Sequence, residues 1–322
     1  MKNTLKNIVR AKEFTLIVVL VLIIIGATAI NPNYISADNI RNIFNAAFST
    51  GAIAIGMACL LIGGQMDLSA SATGAMAGIF VSMLIQAGWA WPLAVLVALA
   101  FGALTGAFNA FLVNKLHFTS FISTLGVSTV YAGLALVITN GGNIPIGNEQ
   151  FWQLGSYNVF GMFPFPFFVL MILMVAYGVV LAKTRAGRRI YMCGGNAVAS
   201  RLAGINPKKV TTLLFINNSM IAALAGVFIT ARMHMGSPTA LTGEDLNAIT
   251  AAVLGGVAFT GGGGTMFGVF CGVMLSTAFQ NALVVVGLDS YYRILAKGLL
   301  LIAALALDFY REKNRIKSLK QL

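Results

Sequence analysis

The chain is 322 residues long, 58% hydrophobic and 9% charged, with a formal net charge of +12. Soluble domains carry about 25% charged residues, so a water-soluble globule is excluded. A membrane β-barrel is excluded too, because its spans are segments of about 10 residues of alternating polarity and the apolar runs here do not alternate.

Ten apolar segments follow one another at 14–30, 42–62, 70–88, 91–113, 119–138, 163–182, 211–231, 246–260, 265–287 and 290–308. Runs of about 20 apolar residues match the hydrocarbon thickness of a bilayer. The expected fold is an all-α polytopic membrane protein: one domain over 1–322 with about ten transmembrane helices. Several segments are short for a crossing, which predicts broken or tilted helices.

The first segment follows Lys and Arg and ends near Ala27-Thr28-Ala29, like a signal peptide. Its apolar run is longer than a signal core and further spans follow, so it is read as an uncleaved helix. After the second segment comes GGQMDLSAS (63–71), where Gly63, Gly64, Ser69 and Ser71 around Asp67 predict a broken helix. A charge near the bilayer centre costs about 2.5–3.5 kcal/mol on insertion scales. Asp67 therefore either caps the helix that starts near Leu68 or, with Ser69, lines a path for solute; both hold together in the broken helices of transporters.

Asn109 lies in the fourth segment, and Asn217, Asn218 and Ser219 lie in the seventh. Amides there bond to neighbouring helices or line a wet path. They both donate and accept hydrogen bonds, which makes Asn109, Asn217 and Asn218 candidate solute contacts. Between the fifth and sixth segments, 139–162 is a loop without a basic residue; its Trp152 and Tyr157 suit an aromatic belt or a binding vestibule. Glycines spaced by four (Gly74/Gly78, Gly102/Gly106, Gly264/Gly268/Gly272) let helices approach closely. The run Gly261–Gly264 is read as a tight turn. No GxxxxGK[ST] phosphate loop occurs in the chain.

Between the sixth and seventh segments lies RAGRRIYMCGGNAVASRLAGINPKKV, with six basic residues and no acid. Asn196 is a good N-cap, 197–203 a short helix, and Gly204 with Pro207 a helix stop. Val198, Leu202 and Ile205 fall near one face, bordered by Arg201, Lys208 and Lys209. The residues alone leave two readings open: a basic loop with an incidental helix, or an amphipathic helix that docks in a groove of a cytoplasmic partner.

Every Lys and Arg except Arg41, Arg232, Arg293 and Lys297 falls in a segment that is cytoplasmic if the N-terminus is; the opposite loops carry Asp38, Glu149, Glu244, Asp245 and Asp289. Lys and Arg resist translocation, so this bias predicts both termini inside. The positive charge is thus topology, with membrane lipid headgroups as its partners, and not a nucleic-acid footprint. Cys59, Cys193 and Cys271 are far apart, without disulfide or zinc spacing. His117 and His234 are isolated, so no metal, cofactor or catalytic site is expected.

GGNAVASRLAGI (194–205) resembles the cytoplasmic motif of the ribose-type (monosaccharide) permeases of bacterial ABC importers. GGQMDLSASATGAMAG (63–78) and AITAAVLGGVAFTGGGGTMFG (248–268) resemble two further blocks of that family, and SYYRILAKGLLLIAAL (290–305) its final span. The chain departs from the pattern at Ala197-Val198, Ser200-Arg201 and Gln65-Met66. The resemblance implies a non-catalytic inner-membrane permease subunit that moves ribose or another monosaccharide inward. It implies as partners a cytoplasmic ABC ATPase, a periplasmic or lipid-anchored binding protein and a second permease chain. The loop 183–210 would be the coupling loop, with Gly195, Asn196, Ala199, Arg201, Leu202, Gly204 and Ile205 contacting the ATPase. The rival expectation is an ion-coupled secondary transporter of a sugar or nucleoside.

Overall fold

The computed structural model describes residues 12–319; Lys2, Lys6, Arg10 and Lys320 of the charge map lie outside the described residues. Thirteen α-helices follow in order. They are α1 (Lys12–Ile30), α2 (Ala37–Ile62), α3 (Ala70–Gln86), α4 (Trp91–Asn114), α5 (Ser120–Thr139), α6 (Glu149–Ser156) and α7 (Phe165–Lys183). The remainder are α8 (Arg185–Gly195), α9 (Ala197–Leu202), α10 (Pro207–Met233), α11 (Glu244–Leu254), α12 (Met266–Val285) and α13 (Ser290–Leu319). Each of the ten apolar segments overlaps one of these helices.

Six of the described helices (α2, α4, α5, α7, α10 and α12) are long and apolar enough to cross a membrane. The expectation of a span over 246–260 is corrected: α11 stops at Leu254 after 11 residues. At 1.5 Å per residue it reaches about 16 Å, half of a bilayer core. The apolar composition runs on past the point where the backbone turns. Gly256, at φ +86, takes the left-handed position, and the N–H groups of Gly256 and Val257 bond back to the carbonyls of Val253 and Ala252. Gly64, at φ +75, ends α2 in the same way, with bonds from Gly64 and Gln65 to Leu61 and Leu60. Only glycine takes that conformation without strain. Two broken elements result: 63–69 before α3, and 255–265 after α11.

α10 is the axis of the bundle, packed against α4, α3 and α2. The glycine spacing explains how: a Cβ at Gly106 of α4 would lie 2.4 Å from the Phe215 carbonyl oxygen, and one at Gly74 of α3 2.7 Å from that of Ala222; between α12 and α11, one at Gly272 would lie 2.0 Å from the Ala251 oxygen. Gly264 is an exception to its predicted row, since it sits in the turn before α12. The most apolar window of α2 is 89% buried, against 22% in α5 and in α7. The last two turn Leu125, Val130, Val137, Ile172 and Val175 outward, as a lipid-facing wall requires.

The bundle has two distinct ends. At one, the Asn114 amide bonds to the Lys208 carbonyl and the Met66 N–H to the Ser120 hydroxyl; this end gathers Lys115, Lys183, α8, α9, Lys208 and Lys209. At the other, β1 (Ile144–Pro145) pairs antiparallel with β4 (Met235–Gly236), and β2 (Asn158–Val159) with β3 (Phe163–Pro164). There Asn31 bonds to the Val285 carbonyl, and Trp152 stacks on His234 at 4.4 Å.

Candidate functional site

At the basic end, Thr184 caps α8 by accepting from the Gly187 N–H at 3.2 Å. Asn196 then closes α8 and opens α9. Its extended backbone (φ −161) turns the chain, and its side-chain oxygen accepts from Val198 N at 3.0 Å and Ala199 N at 2.9 Å. Gly204 takes a left-handed φ of +78, and the Ile205 N–H bonds back to the Ser200 carbonyl at 3.0 Å. The helix is thus capped at both ends by its own sequence. It leaves Val198 and Leu202 68% and 87% exposed, beside the exposed Arg201. Gly195, Asn196, Ala199 and Gly204 are exposed as well, while Ile205 is half-buried. The Cys193 thiol behind α9 is pushed above its ordinary range by burial, partly offset by the Ser200 hydroxyl.

α8 is seated on both broken elements. Gly194 lies so close that a Cβ there would sit 1.8 Å from the Ile62 carbonyl oxygen and 2.8 Å from the Gly262 nitrogen. The Gly262 N–H donates to the same Ile62 carbonyl at 2.8 Å, and the Tyr191 hydroxyl donates to the Gly264 carbonyl at 2.7 Å. The run Gly261–Gly264 is therefore the predicted turn, held against α8 by backbone contact.

Four of the five residues expected along a solute path come together, each fully buried: Asp67, Ser69, Asn109 and Asn218. The Asp67 carboxylate accepts from Ser69 N at 2.8 Å, Ser69 Oγ at 2.6 Å and Asn218 Nδ2 at 2.9 Å. Asn109 Nδ2 donates to Ser69 Oγ at 2.8 Å, and Thr124 Oγ1 accepts from Leu68 N at 3.0 Å. α3 starts at Ala70, so Asp67 secures the turn before the helix by holding the Ser69 N–H. Asn217 is elsewhere: one residue along α10 turns it through about 100°. It accepts from the Tyr177 hydroxyl and lines a cavity of about 470 Å³ with Arg189, Ile205 and Lys209.

A second cavity, of about 450 Å³, opens between α2, α11, α12 and α13. Its walls carry Arg232, Glu244, Gln280, Arg293 and Lys297 together with Thr50. Glu244 accepts from Thr50 Oγ1 at 2.7 Å and from Asn247 Nδ2 at 3.0 Å. These residues were not singled out from the sequence as a site. The signal was present in the charge map, since Arg232, Arg293 and Lys297 are three of its four exceptions.

Residues 39–305 match the family described as the branched-chain amino acid transport system / permease component. The chain is 31% identical to the ribose import permease protein of Haemophilus influenzae over 96% of this chain and 98% of that one. It is 31% identical to the L-arabinose ABC transporter permease protein of Azospirillum brasilense (92% and 88% covered). It is 34% identical to the ribose import permease protein of Escherichia coli strain K12 (92% and 93% covered). No solved structure matches the chain.

Proposed function

From the premise that this chain belongs to the branched-chain-type transport permease family, and that ribose and arabinose permeases are its relatives, we propose that it carries a monosaccharide inward as the membrane subunit of an ABC importer. It is a multi-pass protein of the bacterial inner membrane, as its family and its six long apolar helices require. Chemical energy would come from a separate ATPase, and solute from a binding protein at the opposite face. A second permease chain would complete the path.

The observation that carries the coupling is α9: a capped helix displaying Val198 and Leu202 to water beside Arg201. Large apolar side chains at such exposure on a basic end have a use when a partner's groove covers them. The loop 183–210 is the coupling loop in this reading, and Gly195, Asn196, Ala199, Arg201, Leu202, Gly204 and Ile205 form the ATPase contact. The basic end faces the cytoplasm. Ten helices then lie in the membrane, α3 and α11 as partial ones, while α6, α8 and α9 lie outside; both termini are cytoplasmic. Alternating access follows if ATPase closure shifts α8 and α9.

Leu202→Glu tests this without disturbing the fold, because the side chain touches little. In vesicles holding the whole complex, ATP-driven uptake of D-ribose or L-arabinose should fall at least tenfold while the variant permease still inserts. Full uptake by the variant would refute the docking role. Gradient-driven uptake by the lone chain, without an ATPase, would replace the proposal with an ion-coupled carrier.

A further inference from the structure

The cavity between α2, α11, α12 and α13 has features that packing alone does not require. Charged residues within a membrane are costly and are usually paired or functional. Of the four basic residues that break the charge bias, Arg41 is accounted for: it pairs with Asp38 at 2.9 Å and donates to the Gly161 carbonyl at 2.7 Å. The other three line this one cavity. The Arg41–Asp38 pair is the only ion pair among the described residues, so Arg232, Arg293, Lys297 and Glu244 form no salt bridge. Arg293 faces no carboxylate: its Nη2 donates to the Ser290 hydroxyl at 2.5 Å, and its Nε, like that of Arg41, is buried with no partner. Each Glu244 oxygen accepts one bond and keeps a further lone pair.

The cavity is also placed for transit. Thr50 sits at the midpoint of α2 (Ala37–Ile62), whereas Arg232 and Ser290 belong to the end away from α8 and α9. Its polar wall therefore runs from that end to mid-bundle, where solute sites of alternating-access carriers lie. Its volume falls within the range of about 300–1,000 Å³ for small-molecule sites. A carboxylate that accepts, guanidinium and ammonium groups that donate, and the Gln280 amide that does both match a solute whose adjacent hydroxyls donate and accept in alternation.

We propose that this cavity holds the solute in transit, and that Arg232, Glu244 and Lys297 bind the vicinal hydroxyls of a polyol. The proposal rests on the reading of the chain as a sugar permease subunit.

Two measurements on the reconstituted complex of permease, ATPase and binding protein test it. The first is ATP-driven uptake of D-ribose and L-arabinose. Glu244→Gln and Lys297→Met should each lower it at least tenfold, with complex recovered in unchanged yield, while Arg41→Gln imports at the wild-type rate. Wild-type uptake by both cavity variants would overturn the proposal. The second uses Gln280→Cys and a membrane-impermeant maleimide applied from the binding-protein side. Labelling that changes severalfold between nucleotide-free and ATP-trapped complex supports a transit cavity; equal labelling in both states, or none in either, overturns it. Failure of the wild-type complex to import either sugar would count instead against the reading of the previous subsection, and the labelling would still decide the cavity.

Discussion

Two groups of polar side chains sit inside this bundle, and they differ in how the carboxylate is held and in the space beside it. Around Asp67, both carboxylate oxygens are engaged by Ser69 and Asn218, each member is fully buried, the Asn109 and Asn218 Oδ1 atoms lack a partner, and neither of the two cavities described above reaches the cluster. Around Glu244, charges stand unpaired about an open volume of about 450 Å³. Polarity within a membrane does not mark a path by itself. A carboxylate held from within the chain, with no open space beside it, is architecture, because buried donors and acceptors cost most when one partner is removed. A group with hydrogen-bonding capacity to spare, next to space, is available to something that arrives.

The sharpest way to break this contrast is to remove one carboxylate from each group. Asp67→Ala strands the Ser69 N–H and the Asn218 amide, at about 1–3 kcal/mol for each buried orphan. The purified chain should lose roughly 3 kcal/mol in denaturant unfolding. Glu244→Ala, in a cavity that water reaches, should lose under about 1 kcal/mol; equal losses would dissolve the distinction. A double-mutant cycle refines it. Asp67→Asn should couple with Asn218→Ala by roughly 0.5–3 kcal/mol, and add to Asn217→Ala within about 0.5 kcal/mol. Coupling to both amides would place Asn217 in the cluster after all. The smallest effect is that of Thr124→Ala, which frees the Leu68 N–H and should cost about 1 kcal/mol while leaving the unfolding cooperative.

Much of this was legible in advance, for reasons that differ by region. α9 was readable because its start and stop are local: Asn196, Gly204 and Pro207 act within a few residues of the helix they bound. The end of α11 was not, because Ala-Val-Leu-Gly-Gly-Val-Ala stays apolar through the break, and hydropathy cannot see a backbone turn. Asp67, Asn109 and Asn218 were each recognisable as costly polar residues. Their convergence is a tertiary fact, joining positions 151 residues apart at the extreme. Asn217 and Asn218 look alike in sequence; the face of α10 that α2 covers at Gly56 decides between them. Arg232, Arg293 and Lys297 stood out only as misfits to a topological rule, and folding turned three unrelated misfits into one wall.

The seat of α8 has a mechanical corollary. Where Gly194 meets Ile62 and Gly262, peptide planes rest on one another with no side chain between them. A joint of that kind has no rotamers to spring or slip, so it runs without backlash. A displacement delivered to it would reach both interrupted helices together and at full amplitude, and a single added methyl would jam the gear.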